Sequence, residues 1–204
     1  MTNKKNIKLV LFDIGGVLIN YERAFRNTSI EQNIPYELIG DTFDKYDKEI
    51  TSGEITPQEL YLKCLEDNSL KANKNYDFTD SWVRDYSSIK PTYDLVHKLK
   101  PTYQVGLFSN IYKNMIPILK KKKLIPDIAY DFLFISCDIG LQKPDMEVYE
   151  YVLEITKLQP EQILFVDDRD DNLTVAKYFK WNIFKFSKND PTSSVQKLIK
   201  MLLK

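Results

Sequence analysis

Polar side chains that can bind a metal ion or an anion follow four apolar segments of this chain. They are Asp13 after residues 9–12, Ser109 after 104–108, Lys143 after 132–135, and Asp167 with Asp168 after 163–166. Carboxylates supply the hard oxygen ligands that Mg²⁺ prefers, and an ammonium, a hydroxyl and free backbone N–H groups can together bind an anion. Such a set can support a reaction at a negatively charged group if the fold brings the segments together.

Asp13 is the first of these side chains along the sequence. The apolar run at residues 9–12 is followed by Asp13 and then by Gly15 and Gly16, which predicts a fully buried strand ending in a turn. Open α/β sheets bind their ligands at the carboxyl ends of strands, which is where Asp13 is placed. The glycines allow close approach of the backbone to a ligand. The alternative is an aspartate that only caps the turn.

The adjacent carboxylates of Asp167 and Asp168 are the clearest indication of a metal. Two neighbouring buried carboxylates repel each other unless a cation lies between them. Histidine, a common zinc ligand, occurs only once, as His97 in a predicted surface helix. The sequence therefore predicts Mg²⁺, which keeps several waters and shares its ligand shell with a phosphate.

Ser109, Asn110 and Lys143 are the candidate anion-binding residues. The first two offer a hydroxyl and backbone N–H groups, and Pro144 at a predicted helix start would hold Lys143 in its loop as a cation. Taken singly, Ser109 and Lys143 also fit purely structural roles. Their positions after neighbouring strands favour a common site.

Strand-like apolar runs alternate with helical patterns over most of the chain. The predicted strands lie at 9–12, 104–108, 132–135, 163–166 and 182–186, and the predicted helices at 92–100, 113–123, 146–157, 172–179 and 193–203. This alternation predicts an α/β fold, a Rossmann-like parallel sheet with helices on both faces. The carboxyl ends of parallel strands meet at one edge, so the polar side chains are expected to surround one crevice.

Residues 20–88 interrupt this alternation. The segment shows no buried strand, its aromatic and charged residues have helical spacing, and residues 56–59 (TPQE) form a capping box that begins a helix. We therefore expect a core of residues 1–19 and 89–204 and a helical insert of residues 20–88. The insert is interpreted as a lid over Asp13, and the alternative is a structural elaboration.

Composition argues against several classes of partner. The 204 residues carry 29 Lys and Arg and 29 Asp and Glu, so no net charge attracts nucleic acid or an acidic membrane. The lysines at 120–123 follow apolar helical positions and are interpreted as a solvated helix end.

The same sequence predicts a soluble, cytoplasmic protein that acts on a small molecule. It does not specify the number of subunits. Residues 1–6 are polar, unlike a signal peptide, and no stretch approaches the ~20 apolar residues of a membrane helix. Cys64 and Cys137 lie far apart and are not expected to form a disulfide.

The chain resembles the haloacid dehalogenase superfamily over essentially its whole length. The resemblance rests on the four polar motifs that follow the apolar segments, which have the order and spacing of that superfamily. The chain is most similar to the branch of α-glucose-1-phosphatase and the phosphatase domain of soluble epoxide hydrolase, which shares the Asp-Asp-x-x-x-Asn pattern of residues 167–172. The resemblance implies a Mg²⁺-dependent phosphatase that hydrolyses a small phosphomonoester through an aspartyl phosphate, with residues 20–88 as a helical cap. Sugar phosphates are the substrates expected by analogy.

The resemblance also implies which residues do the chemistry. Asp13 would be the nucleophile and a metal ligand, and the Gly15 carbonyl and Asp168 would complete the protein's part of the metal shell. Lys143 would act in catalysis and in phosphate binding by neutralising charge between Asp13 and the phosphate.

Further residues would support this set. By resemblance, Ser109 and the Asn110 backbone would hold the phosphoryl group, and Asp167 and Asn172 would orient the groups around the metal. The candidate substrate contacts in the cap are Tyr21, Arg23, Arg26 and Tyr46, and the alternative for each of them is a packing or surface role.

Gly15 departs from the pattern of most phosphatases in the superfamily. These carry a second aspartate at this position, which protonates the leaving oxygen and later activates water. Loss of a general acid/base costs about 10²–10⁴-fold in rate. Since the α-glucose-1-phosphatase branch also carries glycine here, activity is expected to persist. The alternatives are a catalytically silent phosphate- and metal-binding regulatory protein, and a 2-haloacid dehalogenase, which would not need the pair Asp167 and Asp168.

Overall fold

The computed structural model describes residues 6–21 and 24–203. The polar start at residues 1–5 and the candidate cap contact Arg23 lie outside the described residues. Within the described ranges the chain has the expected α/β fold, a parallel sheet covered by helices on both faces.

The main sheet of the described chain has five strands, and all neighbouring pairs are parallel. The strands are β1 (Leu9–Phe12), β2 (Ile19–Asn20), β3 (Ser87–Ser88), β4 (Gln104–Ser109), β5 (Phe132–Ile135), β6 (Ile163–Asp167) and β7 (Asn182–Lys185), and the main sheet runs in the order β5-β4-β1-β6-β7. Phe12 pairs with Leu107 on one side and Val166 on the other, so the segments after β1, β4 and β6 meet at one edge. The five predicted strands are confirmed.

Helices cover both faces of this sheet because strand side chains alternate between them. The helices are α1 (Arg26–Gln32), α2 (Tyr36–Lys45), α3 (Asp47–Ser52), α4 (Pro57–Asp67), α5 (Phe78–Arg84), α6 (Lys90–Leu99), α7 (Met115–Lys121), α8 (Ser136–Ile139), α9 (Met146–Thr156), α10 (Asp170–Tyr178) and α11 (Pro191–Leu202). Val10 and Phe12 belong to a core with α6, α7 and α11, whereas Leu9 and Leu11 pack with α9 and α10.

The insert is helical, and α1 to α5 lie within it. Its base is a short antiparallel pair in which Ile19 pairs with Ser88 and Asn20 with Ser87. Sequence reasoning missed these two strands because two-residue segments are too short to show alternation. Buried side chains of the insert share one apolar core with the sheet. The division into a core and a separate cap domain stays a prediction.

Several local features refine the sequence prediction. The capping box at Thr56 is present, with the Glu59 side chain accepting from the Thr56 N–H at 2.7 Å. Pro144 does not begin α9; it precedes the N-cap Asp145, and its peptide bond to Lys143 is cis. Helix α8 was not predicted, since four residues carry too little pattern.

The remaining predictions concern charge, cysteines and membranes. Lys120 and Lys121 end α7, as expected for a basic helix terminus. Cys64 and Cys137 are both buried and unpaired. In the part of the chain that the structure describes, helices long and apolar enough to cross a bilayer are absent.

Candidate active site

Asp13 follows the central strand β1 and is buried, with 7% of its surface exposed. Its N–H donates to the Val166 carbonyl at 3.0 Å, and its Oδ1 accepts from the Ile14 N–H at 2.8 Å. The bond from the Ile14 N–H is the turn-capping contact that the alternative role of Asp13 predicted. The same carboxylate also faces the Lys143 ammonium, with Nζ 3.1 Å from Oδ1, and is hydrogen-bonded by Ser109.

The surroundings of Asp13 set its charge state. Burial raises the pKa of Asp13 to about 6, Lys143 and Ser109 oppose this rise, and the charge of Asp167 adds to it. At pH 7 most of the carboxylate is therefore ionised. Burial thus moves the pKa of Asp13 from the ordinary aspartate range towards neutrality.

Asp168 reaches the same crevice from the end of β6 because Gly16 leaves room for it. Gly16 has φ +70, and a Cβ at this position would lie 2.3 Å from Asp168 Oδ2. Glycine is thus required here both by the backbone conformation and by the close approach of the carboxylate. Burial, and then the charge of Asp167, raise the pKa of Asp168.

Lys143 lies between two carboxylates. Its Nζ is 3.1 Å from Asp13 Oδ1 and 2.7 Å from Asp167 Oδ2, and the residue is only 4% exposed. Burial disfavours the ammonium, but the charges of Asp13 and Asp167 outweigh it and hold the pKa of Lys143 above its usual value. The lysine is therefore a fixed cation beside Asp13.

Asp167 is fully buried, and both of its oxygens are engaged. Oδ1 accepts from the Arg169 N–H at 2.7 Å, and Oδ2 accepts from Lys143 Nζ and from Asn172 Nδ2 at 2.9 Å. These bonds leave Asp167 better suited to orient Lys143 than to bind a ligand directly.

The side chain of Asn110 has a role that sequence reasoning missed. Its Nδ2 donates to the Lys143 carbonyl at 2.7 Å, and its Oδ1 accepts from the Lys143 N–H at 2.9 Å. An amide matches the donor and acceptor of one residue's backbone, so Asn110 fixes the backbone of the lysine loop. No signal in the sequence marks this contact, because every asparagine side chain offers the same donor and acceptor.

The cluster of Asp13, Asp167 and Asp168 fits a divalent cation that Asp13 and Asp168 would hold, because both oxygens of Asp167 are already engaged. Oxygens from all three lie within 4.8 Å of one another. The Lys143 ammonium forms ion pairs with Asp13 and Asp167, so one cation faces three carboxylates and negative charge is left over. Burial is the main cause of the raised pKa values of Asp13 and Asp168, and the charge of Asp167 adds to both; a hard cation with oxygen ligands would favour the ionised carboxylates.

A cavity of about 440 Å³ lies between the sheet edge and the insert, with Asp13, Ser109, Asn110, Lys143 and Asp168 in its lining. Tyr21 also lines it, as expected of a candidate substrate contact. Arg26 and Tyr46 are not among its lining residues, and the Tyr46 hydroxyl instead donates to Asp67 at 3.1 Å. Arg26 is exposed, so these two side chains have the packing or surface role that was the alternative for them.

The profile of the haloacid dehalogenase-like hydrolases matches residues 7–180. The chain belongs to this family. The match spans all four strand ends described above, and the shared fold accounts for their convergence at one sheet edge.

Individual relatives are distant. The chain is 24% identical over 196 residues to D-ribitol-5-phosphate phosphatase of Bacteroides thetaiotaomicron, covering 88% of this chain and 91% of that protein. It is 22% identical over 183 residues to bifunctional epoxide hydrolase 2 of Sus scrofa, covering 79% of this chain but 33% of that protein. The chain thus spans about a third of the length of some curated relatives and most of others.

A solved structure has the same fold. It is a haloacid dehalogenase family enzyme from Bacteroides thetaiotaomicron in complex with magnesium and inorganic phosphate. The TM-score is 0.77 at 23% identity, and the match covers 92% of this chain and 98% of that one.

Proposed function

We propose that this family member is a Mg²⁺-dependent phosphatase that hydrolyses a small phosphomonoester through an aspartyl phosphate on Asp13. The observation that carries the proposal is the bridging position of Lys143, 3.1 Å from Asp13 and 2.7 Å from Asp167, at the floor of a cavity that also reaches Asp168. The ribitol phosphatase among the relatives and the magnesium and phosphate complex with the same fold support this chemistry.

In the first step, a carboxylate oxygen of Asp13 attacks phosphorus and the bond from phosphorus to the ester oxygen breaks, and the leaving alkoxide takes a proton from solvent water to become the alcohol. In the second step, water attacks phosphorus, the bond to Asp13 breaks, and phosphate leaves with the carboxylate restored. With a pKa of about 6, Asp13 is ionised at neutral pH and needs no separate base for its attack.

Two groups beside Asp13 would stabilise the transferring oxygens. The Lys143 ammonium and the Ser109 hydroxyl already contact the carboxylate, so both would lie against a phosphoryl group bound there. Asp167 would hold the ammonium of Lys143 in place, and Asn110 would hold its backbone.

Asp13, Asp168 and the Gly15 carbonyl are the proposed Mg²⁺ ligands, with Asp167 and Asn172 in support. Bound Mg²⁺ supplies positive charge that offsets the repulsion between the phosphate and the carboxylates. Gly15 offers no side chain to protonate the leaving oxygen, so alcohols that are stable as anions are expected to leave fastest.

Hydrolysis of p-nitrophenyl phosphate with and without Mg²⁺ tests the proposal. We expect turnover that requires Mg²⁺ and disappears in Asp13→Asn, which keeps the size of the side chain. Asp127→Asn is the matched control, since Asp127 pairs with Lys120 and neither residue lines the cavity. Metal and phosphate binding without turnover across a panel of phosphate esters would instead identify a silent binder, and halide release from a 2-haloacid would identify a dehalogenase. The sugar phosphate expected from resemblance is one member of that panel.

A further inference from the structure

The cavity beyond Asp13 is bounded by an aromatic wall, which we define as Phe25, Phe43, Trp82 and Tyr112. The rings of Trp82 and Tyr112 are stacked with centroids 4.7 Å apart, and Phe43 meets Tyr112 edge-on at 5.7 Å. Three rings come from the insert and one from the segment after β4, so mutual packing holds the wall together across the junction.

Asp47 lines the same cavity. In the described part of the insert it is the only charged residue in the cavity lining. Thr51 Oγ1 donates to Asp47 Oδ1 at 3.4 Å, and within the described residues no lysine or arginine forms an ion pair with it. The carboxylate therefore keeps acceptor capacity for a ligand.

The cations that line the cavity in the described chain already have partners. Lys143 contacts two carboxylates, and Arg169 Nη2 lies 2.6 Å from Asp171 Oδ2. A ligand with one phosphate can bind at Asp13 and Lys143. Asp47 is exposed, so a second acidic group on the same ligand would meet a partly screened negative charge beside the aromatic wall, without a free described cation to offset it.

We propose that the aromatic wall and Asp47 select the organic group of the substrate. The apolar face of this group packs against the wall, and a hydroxyl or ammonium group at its far end donates to Asp47. Phosphomonoesters of hydroxylated or amino alcohols therefore bind, whereas those with a second acidic group are rejected, and Asp47 is the specificity-determining residue. The inference rests on the proposed function, which places the phosphate at Asp13.

Binding of non-hydrolysable phosphonates tests this selection without relying on turnover. The probes are 4-aminobutylphosphonate, 4-hydroxybutylphosphonate and 4-phosphonobutanoate, which carry an ammonium, a hydroxyl and a carboxylate, respectively, at the end opposite the phosphonate. Their Kd values are measured by titration calorimetry on the full chain with Mg²⁺. We expect the first two to bind about tenfold or more tightly than the carboxylate, the size of effect that one partly screened charge contact supplies.

Asp47→Asn should remove most of this difference. The matched control is Asp44→Asn, because Asp44 is an exposed carboxylate of α2 that does not line the cavity. If Asp47→Asn fails to fold, Asp47→Ser serves in its place, since serine suits a helix start.

The outcomes separate this inference from the function beneath it. A difference that is lost in Asp47→Asn and kept in Asp44→Asn supports the selection. Equal affinities for the three phosphonates, or a difference that survives Asp47→Asn, overturn it and leave the phosphatase proposal intact. Absence of phosphonate binding together with absence of turnover overturns the proposed function, and the selection with it.

Discussion

The ring of Tyr21 lies where a side chain at Gly15 would extend, since a Cβ on Gly15 would be 3.0 Å from Tyr21 Cε1. Most phosphatases of the superfamily carry their acid/base aspartate at this position. Gly15 does not have a positive φ, so its backbone accepts a side chain. The obstacle to restoring the acid is therefore the tyrosine ring and not the turn.

We expect Gly15→Asp alone to leave the rate unchanged or lower it, because the new carboxylate competes with Tyr21 for space. In a Tyr21→Ala background the same change should raise kcat for an unactivated alkyl phosphate by about tenfold or more, which is less than the about 10²–10⁴-fold of a fully positioned general acid/base. Steady-state kinetics on all four combinations measures the effect.

Two controls sharpen that comparison. Gly15→Asn in the Tyr21→Ala background adds a side chain of equal size that cannot transfer the proton, and it should give no gain. An ester of a good leaving group such as p-nitrophenol should benefit far less from the carboxylate that Gly15→Asp introduces. A full gain from Gly15→Asp in the presence of Tyr21 would show that the ring moves aside freely.

Metal-free protein should be stabilised by Asp13→Asn at neutral pH. The folded pKa of Asp13 is about 6, above the unfolded value of about 3.9, so the folded state binds this proton more tightly. Stability therefore falls as the pH rises from about 4 to 6, and the loss is complete above that window. Asp13→Asn has no carboxylate to ionise at this position, so it avoids this loss of stability.

Thermal melting with a chelator present checks this. Asp13→Asn should melt a few degrees above the natural protein at pH 7.5, and the gap should shrink as the pH falls toward 4. Mg²⁺ should raise the melting temperature of the natural protein more than that of the variant. A gap that does not change with pH would mean that packing, and not ionisation, separates the two proteins.

Asn110→Ala should impair catalysis through the lysine loop. It removes the bonds of 2.7 and 2.9 Å to the Lys143 backbone, which leaves a carbonyl and an N–H without their partner. We expect kcat/KM to fall about tenfold, with a loss of stability of about 1–3 kcal/mol. Asn110→Asp keeps the acceptor and loses the donor, so its activity and stability should lie between those of the natural protein and Asn110→Ala. Kinetics and melting curves on both variants test this order.

The strand ends could be predicted from sequence, but their contacts could not. Asp13, Ser109 and Asp168 follow apolar runs whose local pattern marks a strand, and parallel pairing then places their ends together. The Asn110 amide and the Lys143 backbone are separated by 33 residues, and no local pattern encodes their bond.

The contact of Tyr21 with Gly15 could not be predicted from the sequence either. The tyrosine side chain reaches Gly15 because the chain turns back between the two residues, where the Gly16 N–H donates to the Ile19 carbonyl at 2.9 Å and the Ile19 N–H donates to the Ile14 carbonyl at 3.0 Å. The aromatic wall likewise brings together Phe25, Trp82 and Tyr112, which are far apart in the sequence. Tertiary packing, and not local propensity, determines these parts of the site.

Gly53 connects the insert to the sheet through backbone contact. It ends α3 with φ +80, and a Cβ there would lie 2.4 Å from the Cys137 carbonyl oxygen at α8. Gly53→Ala should therefore destabilise the protein, because the left-handed conformation alone costs about 1–2 kcal/mol for a residue with a Cβ, and the clash adds to it. Since α3 also carries Asp47, loosening this contact should weaken phosphonate binding.

Gly40→Ala is the matched control for Gly53→Ala. Gly40 lies inside α2, and a Cβ there would meet no atom within 4 Å, so alanine should stabilise the helix by roughly 0.5–1 kcal/mol. Thermal melting should thus move in opposite directions for the two glycines, and calorimetry should show weaker binding only for Gly53→Ala. If Gly53→Ala melted like the natural protein, α3 would not be held against α8 in solution, and the cavity wall that carries Asp47 would have to be supported by the aromatic contacts alone.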